Sequence, residues 1–299
     1  MEATSAAPEA MAGHPPDRLA LGAFVGAVVV GGSNYVAVRF SNRELDPLWG
    51  AGLRFGLAAA VCGLLCLALR LSLPRGRALG LVALYGLLAF GAAYGLMYWA
   101  LQEVTAGVAA VVFAVGPMLT LLLACAHGME RLSARPLAGS AVALAGSVVI
   151  FFQPDSTRFG VVSLALLLGA ALSASESVIV SKRAGMIHPL AMNVVAMTVG
   201  AVALLAASLL AGETLALPRE TETQLAVAYL VAATVALFVF VLVVVQRWEA
   251  SRTAYIFVLM PVTAIVAGAL LADEPITATT LLGGAIVVTG VYVGALRRR

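Results

Sequence analysis

Long apolar runs, each interrupted by a few charged or turn-forming residues, fill the chain from Leu19 almost to its end. Ten of them approach the 20 or so residues that a helix needs to cross the hydrocarbon layer. They are Leu19–Val38, Leu48–Leu69, Ala78–Ala100, Val104–Ala126, Leu137–Phe152, Gly160–Val180, Pro189–Ala211, Leu225–Val245, Thr253–Ala272 and Ile276–Leu296. Such runs reserve no face for water, and in lipid only a helix satisfies the backbone within one segment. The fifth run is short, and the break between the third and fourth is marked only by Gln102 and Glu103. The connections are short as well, and the longest, Gly212–Gln224, is acidic. The predicted fold class is an all-α integral membrane protein with ten transmembrane helices.

The second half repeats the first. Leu101–Ile150 slides onto Val245–Gly294 at an offset of 144 without a gap, and 12 of the 50 positions are identical. Gln102 falls on Gln246, Phe113 on Phe257, Pro117 on Pro261, Glu130 on Glu274, Gly139 on Gly283 and Gly146 on Gly290. An internal duplication in a very apolar chain is the usual build of a secondary transporter. We divide the chain into a disordered tail (1–18), a first repeat (19–152), a linker (153–159), a second repeat (160–296) and a basic C-terminus (297–299). Each repeat holds five spans, an odd number, so equivalent loops face opposite sides of the membrane and the topology is inverted. Loop charges agree: the Glu130 loop carries Arg131 and Arg135, whereas the Glu274 loop has Pro275 and Thr279 in their places.

The composition strengthens this reading. The chain is 62% hydrophobic and 11% charged, with a mean hydropathy of +1.02, against roughly 25% charged residues in a soluble domain. Of the 18 Lys and Arg, thirteen fall on the side of the N-terminus, four on the other, and Arg54 inside a span. The positive-inside rule then places both termini in the cytosol. Met1–Asp17 is polar and proline-bearing; it lacks the basic start of a signal peptide, and the run after Arg18 is long enough to span. Cys62, Cys66 and Cys125 lie in apolar stretches, and the three histidines have no ligand spacing, so neither a disulfide framework nor a metal site is expected.

The chain resembles the drug/metabolite transporter superfamily, EamA type. The resemblance is carried by Gly32-Ser33-Asn34-Tyr35-Val36-Ala37-Val38-Arg39, Leu53-Arg54-Phe55, Pro117, Glu130-Arg131-Leu132, Gly139 and Gly146, and by Pro261, Glu274, Gly283 and Gly290 in the second half. It covers about residues 20–296. It implies ten helices in two inverted repeats around a central cavity open to one side at a time, and export, or at times import, of metabolites, amino acids or toxic compounds. The halves differ at Arg54, whose equivalent lies near Ala196. No motif selects a substrate.

Among candidate functional residues Glu176 stands first. It lies in Leu172-Ser173-Ala174-Ser175-Glu176-Ser177 inside the sixth span, where a carboxylate costs about 2.5–3.5 kcal/mol to insert and so should face protein or water. Aligning Pro47 with Pro189 sets Asn34 opposite Glu176 in the repeat. Glu176 is expected to bind a cationic group or a coupling proton; otherwise it bonds to its neighbouring serines. Arg54 is read as an anion-binding or gating residue, or as a structural arginine reaching carbonyls or snorkelling outward. No direct Arg54–Glu176 pair is expected. Ser33, Asn34, Tyr94 and Tyr98 form a polar-aromatic set suited to a small-molecule cavity, while Trp99 fits an interfacial belt. Pro117 and Pro261 are candidate paired hinges. Glu130 and Glu274 are loop carboxylates, each opening the next helix and favourably placed at its N-terminus. Glycine pairs at Gly22/Gly26, Gly52/Gly56, Gly91/Gly95 and Gly290/Gly294 should allow close helix approach.

The chain contains no P-loop and no hydrolase or metalloprotease signature. We expect a non-enzymatic secondary transporter for a small molecule, an exporter, with proton coupling through Glu176. No cofactor, metal or nucleic-acid partner is expected, and a homodimer through a glycine face is allowed. A lipid or polyisoprenoid translocase of the same fold is the alternative, with a membrane-embedded enzyme a weaker one.

Overall fold

The computed structural model describes residues 17–101, 103, 106–151, 160–271 and 277–296, and among them all regular structure is helical. The ten spans are α1 Arg18–Ser41, α2 Pro47–Ala68, α3 Gly76–Ala100, α4 in two pieces (Ala106–Phe113 and Gly116–Ala126), α5 Ala134–Phe151, α6 Val161–Arg183, α7 Pro189–Ala211, α8 Thr221–Arg247, α9 Tyr255–Leu271 and α10 Ala278–Leu296. Among the described residues eight helices are long and apolar enough to cross a membrane; α1 and α5 contribute the shorter apolar stretches Arg18–Asn34 and Ala134–Ile150. The linker 153–159, Glu274 and most of both termini lie outside the described residues.

Helix ends follow local chemistry. The Asp17 carboxylate accepts from Leu19 N at 3.1 Å and starts α1. Pro47 and Pro189 occupy the first turns of α2 and α7, where a missing N–H costs nothing. Gly212, at φ 73°, ends α7 in the left-handed conformation. Helix α6 runs on past Val180, so Lys182 and Arg183 lie in its last turn, where cations suit the helix dipole. Large apolar side chains such as Val25, Val29, Leu64, Leu67, Leu210 and Leu282 are more than half exposed. That surface fits lipid and would aggregate in water.

The packing register makes the inverted topology explicit. Equivalent helices of the two repeats meet each other antiparallel. On α2 and α7, Gly52 faces Leu205 and Gly56 faces Ala201; on α5 and α10, Gly139 faces Gly290 and Gly294, and Gly146 faces Gly283 and Val287. The first helix of each repeat crosses into the other repeat. Helix α1 packs on α8 and α9, and its equivalent α6 packs on α3 and α4. Two bodies result, α1/α8/α9 and α6/α3/α4, joined along the α2–α7 and α5–α10 seams.

Candidate functional site

Glu176 stands on α6, seven residues before Arg183, about 10 Å along the axis at 1.5 Å per residue. Its serine neighbours bond elsewhere. Ser177 Oγ donates to Ala174 O at 2.6 Å, Ser175 Oγ to Gly116 O at 3.3 Å and Ser173 Oγ to Leu88 O at 3.2 Å. The last two acceptors lie where helices are irregular: Leu88 in the π-helical stretch of α3, Leu87–Ala92, and Gly116 at the break in α4. Hydroxyls from α6 thus serve carbonyls at both irregularities. Glu176 is left to His127, at the end of α4, with Oε1 2.9 Å from Nε2. Both side chains are about a quarter exposed, and the second carboxylate oxygen is buried without a hydrogen-bond partner. Arg183 donates to the His127 carbonyl at 3.3 Å. This carboxylate–imidazole pair inside a membrane helix bundle can hold and pass a proton.

Arg54 lies on α2, seven residues in from Pro47, toward the opposite end of the bundle. It does not meet Glu176. Its guanidinium carbon lies 4.4 Å from the Phe55 ring centroid and 5.5 Å from that of Tyr94. Arg54 is 6% exposed, and its Nε has no hydrogen-bond partner among the described residues. The rings beneath it form one cluster: Phe55–Phe90 at 4.9 Å, Phe55–Tyr94 at 4.9 Å, Phe90–Phe238 at 4.5 Å and Tyr94–Tyr98 at 6.2 Å. Phe90 is on α3 and Phe238 on α8, so this cluster bridges the two bodies.

The remaining candidates fall in several places. Tyr94 and Tyr98 join Arg54, whereas Ser33 bonds to Tyr229 of α8 at 2.6 Å and to Val30 O at 2.9 Å. Asn34 is buried with an unpartnered Oδ1. Trp99 is half exposed. The two prolines differ. Pro117 begins the second piece of α4, just after a break at Ala114–Val115, while Pro261 sits inside the unbroken α9. Beside Pro261, α1 and α9 nearly touch: a Cβ on Gly31 or Gly32 would strike Met260 or Thr263. Thr263 Oγ1 donates to Val28 O at 2.9 Å. Glu130 serves a helix start other than that of α5, the helix it precedes. Its carboxylate accepts from Ser251 N at 3.2 Å and Ser251 Oγ at 2.6 Å, opening the single turn Ala250–Thr253 in the second half. Glycine pairing is uneven too: Gly26 meets Phe240 and Gly52 meets Leu205, but Gly22 and Gly95 have nothing within 4 Å.

Sequence reading passed over His127, Asn193 (fully buried on α7, both amide atoms unpartnered) and a clasp of carboxylates. At the α2 start, the α1–α2 and α7–α8 loops exchange hydrogen bonds. Glu213 accepts from Leu48 N and Trp49 N at 3.1 and 2.7 Å; Glu44 accepts from Arg219 N and Glu220 N at 2.7 and 3.2 Å; Asp46 accepts from Thr214 N and Oγ1, each at 2.7 Å. Thr214's hydroxyl and amide hold the Asp46 carboxyl below its usual range. For Glu44, desolvation pulls the carboxyl up, but bonds from Arg219, Glu220 and Thr223 with the Arg219 charge outweigh it and the net shift is down. Inverted symmetry maps these loops onto α6–α7 and α2–α3 at the other end. There a cleft of about 240 Å³ lies between Leu71–Pro74 and Met186–His188.

Ten apolar helices in two antiparallel-packed repeats, with ionisable groups at membrane depth, define a multi-pass membrane protein of transporter architecture. The profile of the EamA-like transporter family matches residues 18–152 and again 161–295, and the chain belongs to that family. It is 28% identical over 285 residues to a probable amino-acid metabolite efflux pump of Escherichia coli (strain K12), covering 91% of this chain and 93% of that one. It is 28% identical over 278 residues to a probable terminal-alkyne amino-acid exporter of Streptantibioticus cattleyicolor, covering 92% of each. An uncharacterized inner membrane transporter of E. coli, YedA, is 30% identical over 286 residues, covering 92% of this chain and 90% of that one. A crystal structure of a protein 18% identical superposes with a TM-score of 0.78 over 93% of this chain and 98% of that one, so the two share a fold.

Proposed function

We propose that the chain is a secondary transporter that exports a small amino-acid-like compound from the cytosol by alternating access, with the Arg18 end cytosolic. The observation that carries this is the Glu176–His127 pair, an ionisable couple inside one of two inverted, family-matched repeats. The names of the efflux pump and the exporter support the direction and the compound class. The two bodies rock against each other along the α2–α7 and α5–α10 seams. An inward proton moving through Glu176 and His127 drives the outward step. The test is flux of labelled L-amino acids from proteoliposomes under an imposed pH gradient. Glu176→Gln should abolish gradient-driven accumulation while substrate exchange persists. Gradient-driven flux unchanged in Glu176→Gln removes the coupling role, and absence of amino-acid flux in the unmutated protein removes the substrate class.

A further inference from the structure

Arg54 is a buried cation with no carboxylate in direct contact among the described residues. It makes no ion pair among them, its Nε has no hydrogen-bond partner, and its guanidinium lies over the Phe55 and Tyr94 rings. The carboxylates at its own end of the bundle, Glu44, Asp46 and Glu213, are all committed to backbone N–H groups of the clasp. Keeping a guanidinium at this depth without a counter-charge is costly, and ring faces offset only part of that cost.

The surroundings of Arg54 suit one particular guest. A void of about 10 Å³, room for a single water, lies between Arg54, Tyr98, Ser41, Asn42 and Leu230. Its walls come from α2, α3, the end of α1, and α8, so both moving bodies contribute. Of the polar groups around it the guanidinium fork can only donate, and the Tyr98 hydroxyl, the Ser41 hydroxyl and the Asn42 amide can donate as well as accept. A planar fork with a phenol beside it matches a carboxylate better than any neutral or cationic group. The aromatic cluster below supplies an apolar floor for an attached side chain. The clasp of Glu44, Asp46 and Glu213 lies above the void.

We propose that Arg54 is the anchor for the carboxylate of the transported molecule, with Tyr98 as its second donor, at the outward side of the path and opposite in depth to the Glu176–His127 pair. This rests on the transport reading above and names the chemical group it requires. The guest's carboxylate enters at this void and gives Arg54 a direct counter-charge while the α1–α2 and α7–α8 loops part and re-close over it.

The test is thermal unfolding of purified protein with a panel of L-amino acids, the matching amino-acid amides, isovalerate and sodium chloride at equal ionic strength. Stabilisation reports binding. Amino acids with the right side chain should raise the melting temperature, and isovalerate should do so wherever leucine does; amides and chloride should not. Arg54→Met should weaken the apparent affinity at least tenfold, Tyr98→Phe severalfold, and Arg54→Lys less than Arg54→Met. Ligand-free Arg54→Met should melt no lower than the unmutated protein, because a buried cation without a partner gives way to an apolar chain of similar length. Four results overturn the proposal: no carboxylate stabilises, amides or chloride stabilise equally, Arg54→Met keeps carboxylate binding, or ligand-free Arg54→Met melts lower or does not fold. Proteoliposome flux of an amide alongside any of these would leave the transport reading standing and remove only the carboxylate anchor.

Discussion

A carboxylate in a membrane helix persists where something answers its charge, and Glu176 has one such side chain, His127. Replacing the histidine separates proton handling from hydrogen bonding. In His127→Gln the side-chain amide still donates to Oε1 but takes up no proton; in His127→Ala Oε1 loses its partner and neither carboxylate oxygen is bonded. Gradient-driven flux should fall in both. Thermal unfolding should distinguish them, with His127→Ala destabilised by about 1–3 kcal/mol and His127→Gln close to unmutated. Equal gradient-driven flux in His127→Gln and unmutated protein would leave the histidine a merely structural partner. Glu176 was legible in the sequence because a lone carboxylate inside an apolar span is conspicuous. His127 was not, since 49 residues separate the two and it stands just past the end of an apolar run. Arg54 was legible as an odd cation, but its contact with the Tyr94 ring depends on how α2 and α3 are set against each other.

Helices here are held by how closely their backbones approach. At the α5–α10 crossing a Cβ on Gly146 would lie 2.6 Å from Val287 N and 2.8 Å from Gly283 O, and one on Gly290 would lie 2.5 Å from Ala143 N. Backbone atoms cannot step aside, so Gly146→Ala must push the helices apart. It should lower stability by about 1–3 kcal/mol. Gly22→Ala, with nothing within 4 Å of the new methyl, should raise stability by up to about 1 kcal/mol through helix propensity. Unfolding of the two purified variants compares them directly, and similar effects would show that the α5–α10 approach adds nothing. Glycine spacing does not separate these cases. The internal alignment did better, because Gly139, Gly146, Gly283 and Gly290 are the aligned glycines that meet around the symmetry axis. The alignment also paired Pro117 with Pro261, yet one follows a break and the other sits within a continuous helix. That asymmetry depends on neighbours, since α9 is pressed against Gly31 and Gly32 of α1 while at its break α4 offers the Gly116 carbonyl to a Ser175 hydroxyl from α6.

Across the whole molecule, the two repeats in sequence are not the two bodies in space, because α1 and α6 each pack on the other repeat. Run patterns reveal spans and their number, but nothing in them records a crossover. The exchange places related loops at opposite ends in different conditions: the α1–α2 and α7–α8 loops are clasped, and their equivalents flank an open cleft. The clasp should respond to acid. Asp46 and Glu44 have lowered pKa values when folded, so their contribution is complete above the ordinary carboxylate range, about pH 4. It disappears as pH falls through the lower folded values. Acidifying the side that carries the clasp below about pH 4 should therefore loosen this end, as should Asp46→Asn at neutral pH. Locking it should do the reverse. In an Asp46→Cys/Thr214→Cys double variant, oxidation joins the loops where Asp46 Oδ2 now accepts from Thr214 at 2.7 Å. Flux should stop and return on reduction. A thiol reagent should still reach a third introduced cysteine, Met186→Cys, at the cleft, because Met186 is 81% exposed while the far end is clasped. Flux that continues through the cross-linked protein would mean that the clasp does not gate the path. Loss of Met186→Cys labelling on oxidation would mean that the two ends are not opened alternately.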